Sequence, residues 1–406
     1  MDGYSPTEAA VRAGVDLAYV ERLLDLRFIR PDAEDRLSKG DIRRIQMART
    51  LEGAGLPLDG LAAAIRGGQL KLDFMDTPMY ERFATLGDET FQQLADRTGI
   101  PLHLLTVIRE ATGSPAPEPG ERVREDELAV VGFVAEELKI GFREVSVERF
   151  LRVVGEGMRR MAETESNAWR ADLLEARLAR GMGIQQAADE ADALSENLDA
   201  GIMDAAMLAL FHAQQARAWT ANIIMGFERT LAAAGLYTKL DRPPAMCFLD
   251  ITGYTRITQE RGDEEAASLA ERLGRLVNRS SLEHGGRAVK WLGDGVMLYF
   301  RDPGPGVVAA LEMVDGVTDA GLPPAHVGLH AGPVLFQEGD YFGQTVNLAS
   351  RIADYARPGE VLVSQQVVDA STADGGELRG AAFSDIGPVE LKGISEPVHL
   401  LSAHRR

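Results

Sequence analysis

Two hydrophobic rhythms divide the chain. Up to about residue 236 apolar residues recur at threes and fours, the spacing of one face of a helix. Phe150, Val153, Val154, Met158 and Met161 show it plainly, and a stripe of this kind predicts core. From about residue 245 onward, short apolar runs bounded by Gly, Pro and Asp alternate with helical stretches. There, 246–251 reads as a strand, 264–283 as a helix, and 287–300 as two strands joined at Gly293-Asp294-Gly295. A helix over 307–318, a strand over 326–336, a helix over 347–355 and a strand over 361–363 follow. The pattern ends with a hairpin over 389–401 around Gly393. Strands mixed with helices predict an α+β fold, with a mostly antiparallel sheet carrying helices on it. An all-helical N-terminal half precedes it.

That half reads as two related modules. Ser5-Pro6-Thr7-Glu8 opens a short helix, Gly14 breaks it, and a second helix runs over 18–26, which is a helix-turn-helix pattern. With Phe28-Ile29-Arg30-Pro31 and Arg36-Leu37-Ser38-Lys39-Gly40-Asp41-Ile42, residues 4–66 resemble the start of MerR-type winged-helix regulators. About 85 residues later the arrangement recurs. Leu94 to Ile100 parallels Ala9 to Val15, Asp126-Glu127-Leu128 parallels Asp41-Ile42-Arg43, and Phe150 falls opposite Ile65. The stretch from Ser114 to Gly120 is a Pro-rich loop inside the second copy. A DNA-reading helix brings Arg, Lys, Asn or Gln to base edges. The first candidate carries Asp16, Glu21, Arg22 and Asp25, and the second, over 102–109, offers only His103 and Arg109. DNA binding is therefore not expected. The expected domains are 1–75, 76–240 and 241–406, with Pro243-Pro244 marking the entry to the last.

Charge and composition narrow the setting. The 406 residues carry a formal charge of −19, which opposes non-specific attraction to nucleic acid or anionic membrane. Cys247 is the single cysteine, so no intramolecular disulfide can form, which fits a reducing cytoplasm. The N-terminus lacks the basic and apolar regions of a signal peptide. The most apolar stretch, 202–227, is interrupted by Asp204, His212 and Arg217. It reads as a buried or dimer-forming helix rather than a membrane span.

The chemistry lies in the last domain. Asp250 in Phe-Leu-Asp-Ile-Thr-Gly-Tyr-Thr and Asp294 in Lys-Trp-Leu-Gly-Asp-Gly-Val-Met each follow an apolar run and precede a glycine turn. Carboxylates at strand ends beside free backbone amides suit a divalent cation and a phosphate. Lys290 lies four residues before Asp294, Asp340 seven before Asn347, and Arg351 four after Asn347, so the last two share one helix face. These segments, with Asp340-Tyr-Phe-Gly-Gln-Thr-Val-Asn347-Leu-Ala-Ser-Arg351, closely resemble the signature of class III nucleotidyl cyclases over about residues 245–403. The compact stretch between Gly332 and Gly343 looks like subclass IIIc.

The resemblance implies roles and partners. Asp250, Asp294 and the backbone carbonyl of Ile251 would hold two divalent cations, Mg²⁺ or Mn²⁺. Arg351 would neutralise charge on the α-phosphate and Asn347 would orient the ribose, these two being the catalytic pair. Lys290 and Asp340 would read the base, and Lys392 would meet the outer phosphates. Lys with Asp suits the N1 acceptor and 6-amino donor of adenine, so ATP is the expected substrate and cyclic AMP the product. The resemblance also implies a homodimer with active sites at the subunit interface. The helical half would regulate, under an unidentified small molecule, lipid, pH change, bicarbonate or partner protein. Two alternatives stand beside this reading: guanylyl cyclase activity, and a DNA-binding regulator whose cyclase-like domain senses nucleotide.

Overall fold

The computed structural model describes residues 3–77, 80, 84–196, 200–236, 242–254, 259–260, 262–373 and 378–406. The chain divides into two units, residues 1–220 and 221–406. The expected boundary at residue 241 lies outside the described residues.

In the first unit, α1 (Pro6–Ala13) and α2 (Leu17–Asp25) are joined at Gly14. Ser5 caps α1 by accepting from the Glu8 N–H, and Glu8 reaches back to the Ser5 N–H at 2.7 Å, a reciprocal cap that fixes where the helix starts. With α3 (Lys39–Gly53) and α4 (Leu58–Arg66) these helices bury Ala9, Val20, Leu23, Ile42 and Ile45. A second core, with Phe91, Leu94, Leu104, Ile108, Val134 and Leu151, holds α5 (Phe91–Thr98), α6 (Leu102–Ala111), α7 (Glu125–Lys139) and the start of α8 (Glu144–Trp169). This half is not wholly helical. Strands β1 (Leu86–Thr90) and β2 (Arg122–Arg124) pair antiparallel, tied by the Arg122 guanidinium donating to the carbonyls of Gly87 and Asp88. Their polar sequence has no apolar alternation to announce a strand.

Asp41 in α3 and Glu127 in α7 occupy the same third helical position, and each carboxylate accepts from the backbone N–H of its cap residue. Glu127 is fully buried and binds Arg109. Arg109, one of two polar side chains expected on the second candidate DNA-reading helix, is thus committed to the core. Breaking such a buried pair costs about 3–5 kcal/mol.

A π-helical turn (Arg170–Glu175) leads through α9 (Ala176–Ala179) to α10 (Ile184–Glu196) and α11 (Ala200–Ala233). One expectation of burial fails here, and of the two readings of the apolar stretch only the dimer-forming one remains. On α8 the buried face is Val147, Leu151 and Gly155, which leaves Phe150, Val153, Met158 and Met161 exposed. The α11 helix forms over the predicted apolar stretch but is not buried within the chain: Ile202 is 70% and Trp219 62% exposed. Periodicity marks an apolar face; it does not supply the surface that covers it. Among the described residues no helix is long and apolar enough to cross a membrane.

The second unit holds a seven-stranded sheet: β3 (Ala245–Ile251), β4 (Gly286–Leu292), β5 (Gly295–Phe300), β6 (Ala325–Ala331), β9 (Val361–Ser364), β10 (Ala382–Val389) and β11 (Val398–His404). Its spatial order is β10-β11-β9-β6-β3-β5-β4, antiparallel except for the β6–β9 pair. A small hairpin of β7 (Leu335–Gln337) and β8 (Asp340–Phe342) stands apart. The strand expected over 326–336 stops at Ala331, because Gly332-Pro333 interrupts the ladder. The hairpin around Gly393 forms with longer strands than predicted: β10 starts at Ala382 and β11 ends at His404. Helices α12 (Asp263–Glu283), α13 (Pro303–Asp319), α14 (Gln344–Tyr355) and α15 (Gln365–Ser371) complete the unit.

Central β3 is buried along most of its length, with Cys247 and Leu249 in one core cluster and Met246 in another with Met297, Tyr341 and Ala349. The buried Cys247 thiol has its pKa pushed well up by desolvation, so it stays protonated. Helix α14 lies directly on β6: a Cβ at Gly328 would sit on the backbone nitrogen of Ala353. Gly328→Ala is therefore expected to push α14 off the sheet and lower stability by about 1–3 kcal/mol. Chemical denaturation would measure the loss, and an unchanged midpoint would contradict the close packing.

Candidate active site

Strand register places the two aspartates. Asp250 is the penultimate residue of β3 and lies opposite Gly295 on β5 and His326 on β6. Asp294 sits in the two-residue turn between β4 and β5, next to Gly295. A side chain at Gly295 would crowd Asp250, meeting its Oδ1 at 3.3 Å and the Leu249 carbonyl at 3.1 Å. The Ile251 N–H donates to Asp250 Oδ1 at 3.0 Å, and His326 Nε2 lies 3.8 Å from Oδ2.

Burial first, and then the charge of Asp294, hold the Asp250 carboxyl above the usual carboxylate range, against the opposing pull of His326. A hard divalent cation takes oxygen ligands and relieves such repulsion, so the pair fits one. Among the described residues no group of three or more His, Cys, Asp or Glu is arranged to hold a metal ion by itself. The remaining ligand positions would fall to backbone, solvent and substrate oxygens.

The raised pKa has a consequence for stability. The unfolded chain ionises Asp250 more readily than the folded one does. Its support for folding is full below the ordinary aspartate range and is lost as pH rises through the raised value. At pH 7, in chelator, Asp250→Asn is expected to melt at or above the wild-type temperature, and the difference should vanish below that range. A lower melting temperature at pH 7 would refute the assignment.

Two further groups form. A bulge in β4 between Ala288 and Lys290 turns the lysine, and its ammonium binds Asp340 at the start of β8. The other Asp340 oxygen accepts from the Tyr341 N–H at 2.8 Å. On α14, Asn347 and Arg351 line a cavity of about 270 Å³ with Ser350, Gly393 and Ile394. Lys392, beside Gly393, is exposed and does not line it. The expected residues thus gather as Asp250 with Asp294, Lys290 with Asp340, and Asn347 with Arg351. The cavity at Arg351 includes none of the first four.

Two neighbours escape motif reading. Asp354 accepts from Arg351 Nη1 at 2.6 Å, and its charge is a further, smaller influence raising the pKa of Asp250. His326, beside Asp250, has its Nδ1 3.3 Å from Thr252 Oγ1. The helical spacing of Arg351 and Asp354 was the available signal for one; His326 needs the β3–β6 register.

The second unit is thus an α+β domain whose mostly antiparallel sheet carries helices and brings two acidic side chains beside the start of β5. The family described as adenylate and guanylate cyclase catalytic domain matches residues 237–403. A pH-sensitive adenylate cyclase of Mycobacterium tuberculosis, MT1302, is 31% identical over 322 residues, covering 77% of each chain. An adenylate cyclase of Streptomyces coelicolor is 35% identical over 146 residues, or 36% of this chain and 38% of that one. The crystal structure of the adenylyl cyclase CyaB from P. aeruginosa aligns with a TM-score of 0.34 and 24% identity, over 40% of this chain and 93% of that one. The chain belongs to the adenylate and guanylate cyclase family. Catalytic domains of this family use divalent metal ions.

Proposed function

We propose that the protein is an adenylyl cyclase forming 3′,5′-cyclic AMP and pyrophosphate from ATP, with two divalent cations, Mg²⁺ or Mn²⁺. The observation that carries this reading is the Asp250–Asp294 carboxylate pair, in a chain 31% identical to an adenylate cyclase over 77% of its length. Asp250, Asp294 and the Ile251 carbonyl would hold the cations, which when bound supply charge neutralisation and a lowered pKa for the ribose 3′-hydroxyl. The 3′-oxygen forms its bond to the α-phosphorus as the bond to the pyrophosphate oxygen breaks. Arg351 donates to the α-phosphate oxygens as charge builds there, and Asn347 holds the ribose in line. Lys290 donates to adenine N1, and Asp340 accepts from the 6-amino group. Lys392 meets the outer phosphates.

Each site combines two chains. The lining of the Arg351 cavity, which includes neither Asp250 nor Asp294, supports this, as does the exposure of Trp291, Leu292, Leu335, Phe336 and Phe342 on a single chain. Cyclic AMP formation by the purified protein with Mg²⁺ or Mn²⁺, beside Asp294→Ala, is the test. Product from the wild type alone supports the reading, and none from either refutes it.

The helical half regulates the rate. Removing residues 1–240 is expected to change turnover by about tenfold or more, within the usual range of coupling between sites. Unchanged turnover and dimer affinity would rule regulation out.

A further inference from the structure

The first helical module contains a cavity of about 420 Å³ whose charge runs against that of the chain. Arg27, Arg30, Arg44 and Lys71 line it, drawn from the segment after α2, from α3 and from the segment after α4. Two of these cations are committed. Arg44 binds Asp41, Asp76 and the Leu72 carbonyl, and Lys71 donates to Asp189 at 2.9 Å. Arg27 and Arg30 make no ion pair or side-chain hydrogen bond among the described residues. Of the two lining carboxylates, Asp41 is bonded to Ser38 and Arg44, which leaves Asp73 alone against two free guanidiniums. The formal charge of the whole chain is −19.

Arg27 is also an unexpected residue for its backbone. Its N–H donates to the Leu24 carbonyl at 2.9 Å, and the Phe28 N–H donates to Leu23 at 2.9 Å. This is a Schellman ending for α2, with Arg27 at φ 57 in the left-handed position that glycine usually fills. A side chain there carries strain, and among the described residues no ion pair or side-chain hydrogen bond of Arg27 offsets it.

We propose that this cavity binds a small organic anion, with Arg27 and Arg30 gripping a carboxylate or phosphate group. Guanidinium forks match both oxyanions, and the volume falls in the ordinary range for small-molecule sites. The apolar part of the ligand would lie on Leu70 and Leu72, which also line the cavity.

Calorimetric titration of the full-length protein with sodium phosphate, and separately with sodium benzoate, tests this at constant ionic strength. The variants are Arg27→Gly and Arg30→Gln; both arginines are exposed, so neither change opens the core. One probe is expected to saturate at one per chain, and which one does so distinguishes a phosphate ligand from a carboxylate. Affinity should fall about tenfold or more in each variant, while Arg27→Gly melts at or above the wild-type temperature. Absence of saturable binding by either probe, or binding that survives both substitutions, would overturn the proposal. So would an Arg27→Gly protein that melts lower, since the guanidinium would then serve the fold.

Discussion

Mixing Asp250→Ala protein with Arg351→Ala protein is expected to restore cyclic AMP formation that neither variant supports alone. Arg351→Ala removes a donor aimed at charge that develops in the transition state, and a single loss of that kind costs about 10²–10³ in turnover. Loss of Asp250 removes an oxygen donor of the carboxylate pair, so that variant should lie at or below the lower end. Asp250 and Arg351 stand on neighbouring elements of one chain, since α14 packs on β3 and β6. Even so, the cavity beside Arg351 is lined by neither Asp250 nor Asp294. If each site takes its carboxylates from one chain and Asn347 with Arg351 from the other, a mixed dimer keeps one intact site and one doubly damaged site. Random exchange makes about half the dimers mixed, so the mixture should regain about a quarter of wild-type activity. Native mass spectrometry would verify the exchange. Mixed dimers without recovered activity would show that each site is built within a single chain.

The legible and illegible parts of this protein separate along a physical line. Apolar runs ending in Asp-Ile-Thr-Gly and Gly-Asp-Gly announced β3, the β4–β5 hairpin and both carboxylates, because strand burial and turn chemistry are local. Asn347 and Arg351 were legible for the same reason, four residues apart on one helix. The direct bond between Lys290 and Asp340 was not, since they are 50 positions apart and a bulge in β4 just before Lys290 changes its register. His326 needed the register of β6 against β3. Strand β10 was hidden by Gly387-Pro388, which interrupts its apolar pattern near a shift in register. Helices α8 and α11 show the converse limit: their stripes were read correctly as helical, but what covers an apolar face is set by other surfaces. Arg109 shows it once more, since a side chain available for DNA on paper is spent on Glu127 in the fold.

Replacing Lys290 with Glu and Asp340 with Asn is expected to raise the ratio of GTP to ATP turnover, as kcat/KM, by about 10²-fold or more. Adenine presents an acceptor at N1 and a donor at its 6-amino group, which a lysine and an aspartate satisfy. Guanine presents N–H donors at N1 and N2 and a carbonyl at position 6. A glutamate at 290 would accept from the first two, and the amide of an asparagine at 340 would donate to the third. On this reading the wild-type pair would reject guanine, because insertion would set Lys290 against an N–H and Asp340 against a carbonyl, each charge losing its partner. The Lys290–Asp340 ion pair itself is partly exposed, and such pairs contribute about 0–1 kcal/mol to stability. The double variant should therefore melt close to the wild type, so a change in base preference would report recognition rather than folding. Single substitutions should depress ATP turnover without creating GTP turnover, because each leaves one mismatched group. A GTP-to-ATP ratio that stays at the wild-type value in the folded double variant would remove Lys290 and Asp340 from base recognition. The choice between adenine and guanine would then rest on other residues.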